Sequence, residues 1–99
     1  MSSYIVHGLQ EAHDTLSAVI SDKDFIKAFE EATKYLVDAF ENNRRVFSCG
    51  NGGSMCDSMH FAEELTGRFR KDRAPLPATA ISDPGYISCV SNDFGYDHI

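Results

Sequence analysis

The chain lacks most of the features that would place it outside the ordinary globular class. No apolar run reaches the roughly 18 residues that a membrane-spanning helix needs, so no membrane partner is expected. The opening Met1-Ser2-Ser3-Tyr4 has no basic segment followed by an apolar core, and no signal peptide is expected. Cysteine is scarce and odd in number: Cys49, Cys56 and Cys89 show no paired spacing. They read as reduced thiols of a cytoplasmic protein, and the spacing of the first two is not that of a zinc knuckle. Positive charge is also short, with nine Lys and Arg against 15 Asp and Glu and a formal charge of −6. That balance argues against non-specific binding to nucleic acid or to an anionic membrane. Repeats and low-complexity segments are absent, and nothing in the composition points to disorder. The length of 99 residues allows one domain and a modest core.

What the chain does have is pattern. Ile5, Leu9, Ala12, Leu16 and Val19 recur at spacings of four and three, which predicts an amphipathic helix over residues 3–20. His7 and His13 fall near its polar side and are expected to be exposed. Ser21-Asp22-Lys23-Asp24 breaks this helix and can cap the next. Phe25, Phe29, Ala32, Leu36 and Phe40 mark that second helix, to about residue 42, and Ile26 and Val37 widen its apolar stripe. Two such helices carry more apolar surface than one side of a small sheet covers. They either pack into the core or face another subunit.

After the turn Asn42-Asn43-Arg44, residues 45–49 form a predicted strand that runs into Gly50-Asn51-Gly52-Gly53-Ser54. Glycines at 50, 52 and 53 permit positive φ and close approach of a ligand to the backbone. A helix is expected from Ser54, a good N-cap type, to Gly67, a good C-cap type, with its free N–H groups facing that ligand. A loop ended by Pro75 and Pro77 follows, then a strand over residues 78–82. Asp83-Pro84 reads as an N-cap with proline at the first helical position, opening a short helix over residues 85–91. The order strand, helix, strand, helix predicts an α/β fold with a parallel pair and a right-handed crossover. In such a sheet ligands bind beyond the carboxyl ends of the strands, where Gly50–Ser54 and Ser82-Asp83 both lie.

Within the central helix, His60 and Glu64 are four apart and share one face. One reading is a His bonded to its neighbouring Glu on a solvated face. The other is a metal or acid–base pair directed at whatever the glycine turn holds. Imidazole with carboxylate suits zinc, but a site needs further ligands from elsewhere. Asn92-Asp93-Phe94-Gly95 likewise reads either as a helix stop with a turn or as hydrogen-bonding groups for a polyhydroxylated ligand. Arg70, Lys71 and Arg73 are expected in a solvated loop, whereas Arg68 directly follows the helix and can point back toward the site.

The segments C-G-N-G-G-S-M-C-D-S-M-H-F-A-E-E-L-T-G-R-F, A-I-S-D and I-S-C-V-S-N-D-F-G-Y-D together closely resemble the bacterial phosphoheptose isomerases, which have the sugar isomerase (SIS) fold. The resemblance runs over the whole chain but covers only the N-terminal half of the family's length. It implies one SIS-type parallel sheet flanked by helices, truncated here. Residues 1–42 would be a helical oligomerisation segment and residues 43–99 a sugar-phosphate-binding segment. It further implies a homotetramer with a helical centre, a sugar-phosphate substrate and one zinc ion per subunit, with the remaining ligands outside these residues. Carried over position by position, Asn51, Gly52 and Gly53 would line the substrate, Asn92 and Asp93 would contact the sugar, and His60 and Glu64 would bind the metal. Glu64 would also touch the substrate and transfer the proton. Met55 stands where relatives can carry other side chains, including His. The family's phosphate loop, its catalytic His and its further metal ligands lie in the half with no counterpart here, and His98 matches none of them.

The chemistry implied is interconversion of sedoheptulose 7-phosphate and D-glycero-D-manno-heptose 7-phosphate, which leads to the heptose of the lipopolysaccharide core. A carboxylate can take the C1 proton of the ketose if it is desolvated, an ene-diol(ate) forms, and the proton returns at C2. Glu63, turned about 100° around the helix from Glu64, serves as an internal control. Two other classes stand beside this one: a non-catalytic SIS protein that binds a replication initiator, and a sugar-phosphate-sensing module. The retained H-F-A-E-E and N-D-F-G segments favour the isomerase over the first, and the lack of a basic DNA-binding segment disfavours the second.

Overall fold

A computed structural model describes residues 2–99. Its chain divides into two compact units, one ending at Asp38 and the other spanning Ala39–Ile99.

The first unit is helical. Helix α1, Ser2–Ser21, and helix α2, Lys23–Glu41, follow the predicted periodicities to within two residues. Asp22 separates them by capping: its Oδ1 accepts from the backbone N–H groups of Asp24, at 3.1 Å, and Phe25, at 3.0 Å. Two donors of the new helix are thus satisfied before its own carbonyls come into reach. Phe25 and Phe29 stack along α2 with ring centroids 6.2 Å apart. No described residue of α1 or α2 is buried. His7 and His13 are exposed, as expected, and pair with Glu11 and Asp14 on the same helix.

The second unit opens on the end of α2, where Arg44 N–H reaches Ala39 O at 2.7 Å and Asn43 N–H reaches Phe40 O at 3.2 Å. Asn43 sits at φ 56, so the helix closes through a left-handed residue of the Schellman type, a position Asn tolerates. Strand β1, Val46–Ser48, then pairs in parallel with β2, Ala78–Ala80, in the register Val46 to Ala78, Phe47 to Thr79 and Ser48 to Ala80. Each strand is shorter than the sequence suggested because each finds only three partners on the other. Val46 N–H and Ile81 N–H continue the ladder by one bond at either end.

Between the strands lies helix α3, Gly53–Thr66, and after β2 comes α4, Pro84–Asp93, followed by a 3-10 turn at Tyr96–His98. Asp83 caps α4 as read from the sequence, its side chain accepting from Tyr86 N–H at 2.7 Å with proline at the helix start. The buried residues are small: Ser58 and Ala62 on α3 and Ala78 on β2. Small side chains let α3 lie close over the two strands, and Ser48 Oγ donates to Ser58 O at 2.7 Å across that contact. Among the described residues no helix is long and apolar enough to cross a membrane.

Candidate functional site

The glycine turn is built differently from its sequence reading. Of its three glycines only Gly52 has positive φ, at 57, and Gly52 rather than Ser54 is the N-cap of α3. Ser54 lies inside the first turn and no side chain caps the helix. The physical reason is the turn itself: Ser54 N–H bonds Asn51 O at 3.1 Å, and Met55 N–H bonds Gly52 O at 3.0 Å. Backbone carbonyls of the turn satisfy those donors, so Ser54 and Met55 do not offer free N–H groups to a ligand as the sequence suggested. Gly50 is required for another cause, close packing. A Cβ there would stand 2.5 Å from the Ser54 carbonyl carbon and oxygen, closer than any side-chain carbon can approach. Gly53 has open space around its Cα.

Asn51 is exposed at the head of this turn, and its Oδ1 accepts a hydrogen bond from the Tyr96 hydroxyl, 45 positions later in the chain. With the amide oxygen engaged, the amide N–H groups remain as donors toward a ligand's oxygens. A cavity of about 230 Å³ opens here, lined by Cys49, Gly50, Asn51, Met55, Ile81 and Tyr96 among others. It lies beyond the carboxyl ends of both strands, where fold logic expects ligands in a parallel sheet.

His60 and Glu64 do meet. His60 Nε2 lies 3.0 Å from Glu64 Oε1, one turn apart on α3. The His60 side chain is largely exposed, while that of Glu64 keeps 32% of its accessibility. The desolvation that a proton-abstracting carboxylate needs is therefore only partly supplied by the described residues. Glu63 is not the isolated control its position one residue away suggested. His60, Glu63 and Glu64 each place a ligand-type atom within 4.8 Å of the others. The reason is helical geometry: Glu63 is three residues from His60, and i,i+3 pairs are neighbours on a helix surface just as i,i+4 pairs are. The donor set of one imidazole and two carboxylates fits a zinc ion chemically and leaves coordination positions for further ligands.

His60 and Glu64 line a second, larger cavity of about 500 Å³ with Phe61, Leu65, Phe69 and Arg73. The glycine turn does not contribute to it. So within the described residues the two halves of the expected site, the turn with Asn51 and the pair on α3, line separate cavities.

Asn92 and Asp93 belong to the last turn of α4 rather than to a segment after it. The helix runs on because Phe94 N–H still reaches Val90 O at 2.9 Å, and the stop comes at Gly95, with φ 104. Asn92 Nδ2 donates to Asp93 Oδ1 at 3.0 Å and Cys89 Sγ to Asp93 Oδ2 at 3.5 Å. The link from this region to the glycine turn is made by Tyr96.

The basic stretch also differs from its reading. Arg68 pairs with Asp72 at 3.0 Å, an exposed i,i+4 pair of the kind that contributes little to stability. Arg73, expected in solvent, turns back and donates to four backbone carbonyls: Glu64 at 2.7 Å, Leu65 at 3.0 Å, Gly67 at 3.2 Å and Ala74 at 3.1 Å. The available signal was the helix end itself, whose last carbonyls have no intrahelical donor and favour a cation nearby.

Comparison with known proteins agrees with this architecture. A curated phosphoheptose isomerase of Yersinia enterocolitica is 59% identical over 91 residues, spanning 92% of this chain and 47% of its own. That of Glaesserella parasuis is 55% identical over the same extent. The chain spans about half the length of the curated relatives it matches. Among solved structures, a phosphoheptose isomerase from Francisella tularensis superposes with a TM-score of 0.79 at 29% identity, covering 99% of this chain and 51% of that one. One from Neisseria gonorrhoeae gives 0.53 at 33% identity, covering 91% and 50%. The small parallel sheet with its flanking helices is that of the SIS fold. A family model for the SIS domain matches residues 7–99, and the chain belongs to that family.

Proposed function

We propose that the protein of which this chain forms the matched half is an aldose–ketose isomerase acting on sedoheptulose 7-phosphate, in the route to the heptose of lipopolysaccharide. The observation that carries this reading is the His60–Glu64 contact of 3.0 Å on α3, in a chain 55–59% identical to phosphoheptose isomerases. Glu64 is the base: it takes the C1 proton of the ketose and returns it to C2 of the ene-diol(ate), giving D-glycero-D-manno-heptose 7-phosphate. His60, bonded to the same carboxylate, restricts its rotamer and keeps one oxygen directed along the helix face. Asn51 donates its amide N–H groups to a substrate oxygen, and Gly52 and Gly53 let the sugar approach the backbone. Asn92 and Asp93 add hydrogen bonds to the hydroxyls.

His60 and Glu64 would also hold zinc, with Glu63 near enough to join them. When bound, the ion would supply Lewis-acid stabilisation of charge developing on the sugar oxygens. The exposed apolar faces of α1 and α2 fit a helical subunit interface, and we assign the protein to a cytoplasmic homotetramer.

The test is a sedoheptulose 7-phosphate isomerisation assay on the protein isolated at its natural length, with and without chelator. Turnover lost on chelation and restored by zinc supports both the reaction and the metal. A folded protein that binds the sugar phosphate without converting it favours a sensing module instead.

A further inference from the structure

The structure points to a residue outside the predicted site that governs Glu64: we propose that Arg73 is the positioning residue for the Glu64 carboxylate. The inference rests on the isomerase reading above.

Glu64 lies in the last turn of a helix that stops at Thr66, so its backbone carbonyl has no intrahelical donor. Arg73 supplies one, with Nη2 at 2.7 Å from Glu64 O, the shortest of its four bonds. Nη1 of the same guanidinium spans Leu65 O, Gly67 O and Ala74 O at 3.0–3.2 Å. One rigid planar group thus ties the Glu64 backbone to the residues on both sides of the helix end. At the other end of the residue, Oε1 is held by His60 at 3.0 Å. Glu64 is therefore fixed at its backbone by Arg73 and at its carboxylate by His60. Both partners line the cavity that Glu64 itself lines.

The two neighbouring arginines are engaged elsewhere. Arg68 is engaged with Asp72, and Arg70 lies over the Phe69 ring at 5.0 Å. Lysine is not an equivalent at position 73. Its single ammonium lacks the planar fork and cannot reproduce bonds that leave from two separate nitrogens. Misplacing a proton-abstracting group by a fraction of the distance it must cover lowers the chemical step rather than substrate binding.

The experiment uses the protein at its natural length and compares wild type with Arg73→Lys and Arg73→Ala. Three readouts are followed: kcat and KM for sedoheptulose 7-phosphate, the kinetic isotope effect with deuterium at C1, and amide hydrogen exchange over residues 64–67. Arg73→Lys is expected to lower kcat about tenfold with KM within about twofold, by the usual cost of a misplaced catalytic group. The isotope effect should rise, because proton abstraction becomes more nearly rate-limiting. Exchange at the end of α3 should quicken in both variants, and millimolar guanidinium should restore part of the activity of Arg73→Ala. A merely structural role predicts a smaller active fraction with an unchanged isotope effect, and that result overturns the proposal. So does an Arg73→Lys enzyme with wild-type kcat. A folded but inert wild type removes the isomerase reading and this inference with it, an outcome distinct from failure of the variants alone.

Discussion

Up to Asp38 the chain carries a regular apolar stripe and buries none of it; from Ala39 onward its pattern is irregular, and it buries Ser58, Ala62 and Ala78. In the first region Leu9, Leu16, Ile20 and Phe29 each keep more than 60% of their accessibility. Fully burying side chains of this size is worth about 1.5–3 kcal/mol each. Contiguous apolar surface of that kind normally marks an interaction site. In the second region contact is made by small side chains and by hydrogen bonds to backbone, of which Ser48 to Ser58 and Arg73 to the end of α3 are the clearest. The lesson is a division of labour. One region has long helices and leaves its apolar surface exposed in the single chain, whereas the other has short strands and places polar groups by hydrogen bonds to backbone.

Changes at the chemical centre should separate the regions most sharply. Glu64→Gln is expected to lower kcat by about 10²–10⁴-fold, the range for loss of a general base, while leaving the assembly intact. Glu63→Gln shares the cluster with His60 and is expected to lose at most about tenfold, within the range of a group that supports rather than performs proton transfer. Steady-state kinetics at natural length decide between them, and equal losses in the two variants sink the assignment to Glu64.

The converse change belongs to the helical region. Leu9→Asp combined with Phe29→Asp puts charge on side chains that keep 67% and 66% of their accessibility in one chain. If copies of the protein cover that face, the charges are buried on assembly and the proposed tetramer should dissociate in sedimentation at micromolar concentration. An unchanged mass would show that α1 and α2 are not the subunit interface, and the apolar stripe would need another occupant.

A smaller effect is expected where the second region links its distant parts. Tyr96→Phe removes the hydroxyl that holds Asn51 but keeps the ring. Loss of one hydrogen bond of about 0.5–1.5 kcal/mol should raise KM by roughly two- to tenfold with little change in kcat. A change in kcat alone would place Asn51 with the reacting atoms instead.

What was legible in the sequence follows the same division. The two long helices could be read because a 3.6-residue period repeats over many turns. The caps at Asp22 and Asp83 could be read because capping is local, a side chain reaching a backbone N–H two or three residues on. The pairing of β1 with β2 followed from element order. Several of the differences concern groups whose partner is not local or whose local signal points two ways. Arg73 carries the signal of a solvated loop because three of its four acceptors lie six to nine residues back, at a helix end reached only after the chain turns. Tyr96 carries no local signal, because Asn51 is 45 positions away in the chain. Asn92 and Asp93 carry the composition of a helix stop, yet the stop waits for Gly95, which can take the positive φ. Glu63 reads as a control when rotation is counted from Glu64, but the spacing that matters is the three residues from His60.

The smallest predicted effect tests the comparison by its sign. Gly8 and Gly50 are both glycines in well-formed backbone, but a Cβ at Gly50 meets the Ser54 backbone at 2.5 Å, whereas one at Gly8 meets nothing within 4 Å in the single chain. Gly8 lies inside α1, where alanine is favoured over glycine by about 1 kcal/mol. In an isolated chain Gly8→Ala should therefore stabilise by that amount. In the assembled protein the sign depends on what covers this side of α1. If Gly8 faces solvent, thermal denaturation should rise by a few degrees. If another helix lies against it, the added methyl has to be accommodated by movement of the neighbour, and the midpoint should fall. The midpoint read against protein concentration separates these cases, because only a subunit contact makes the penalty grow as the protein assembles.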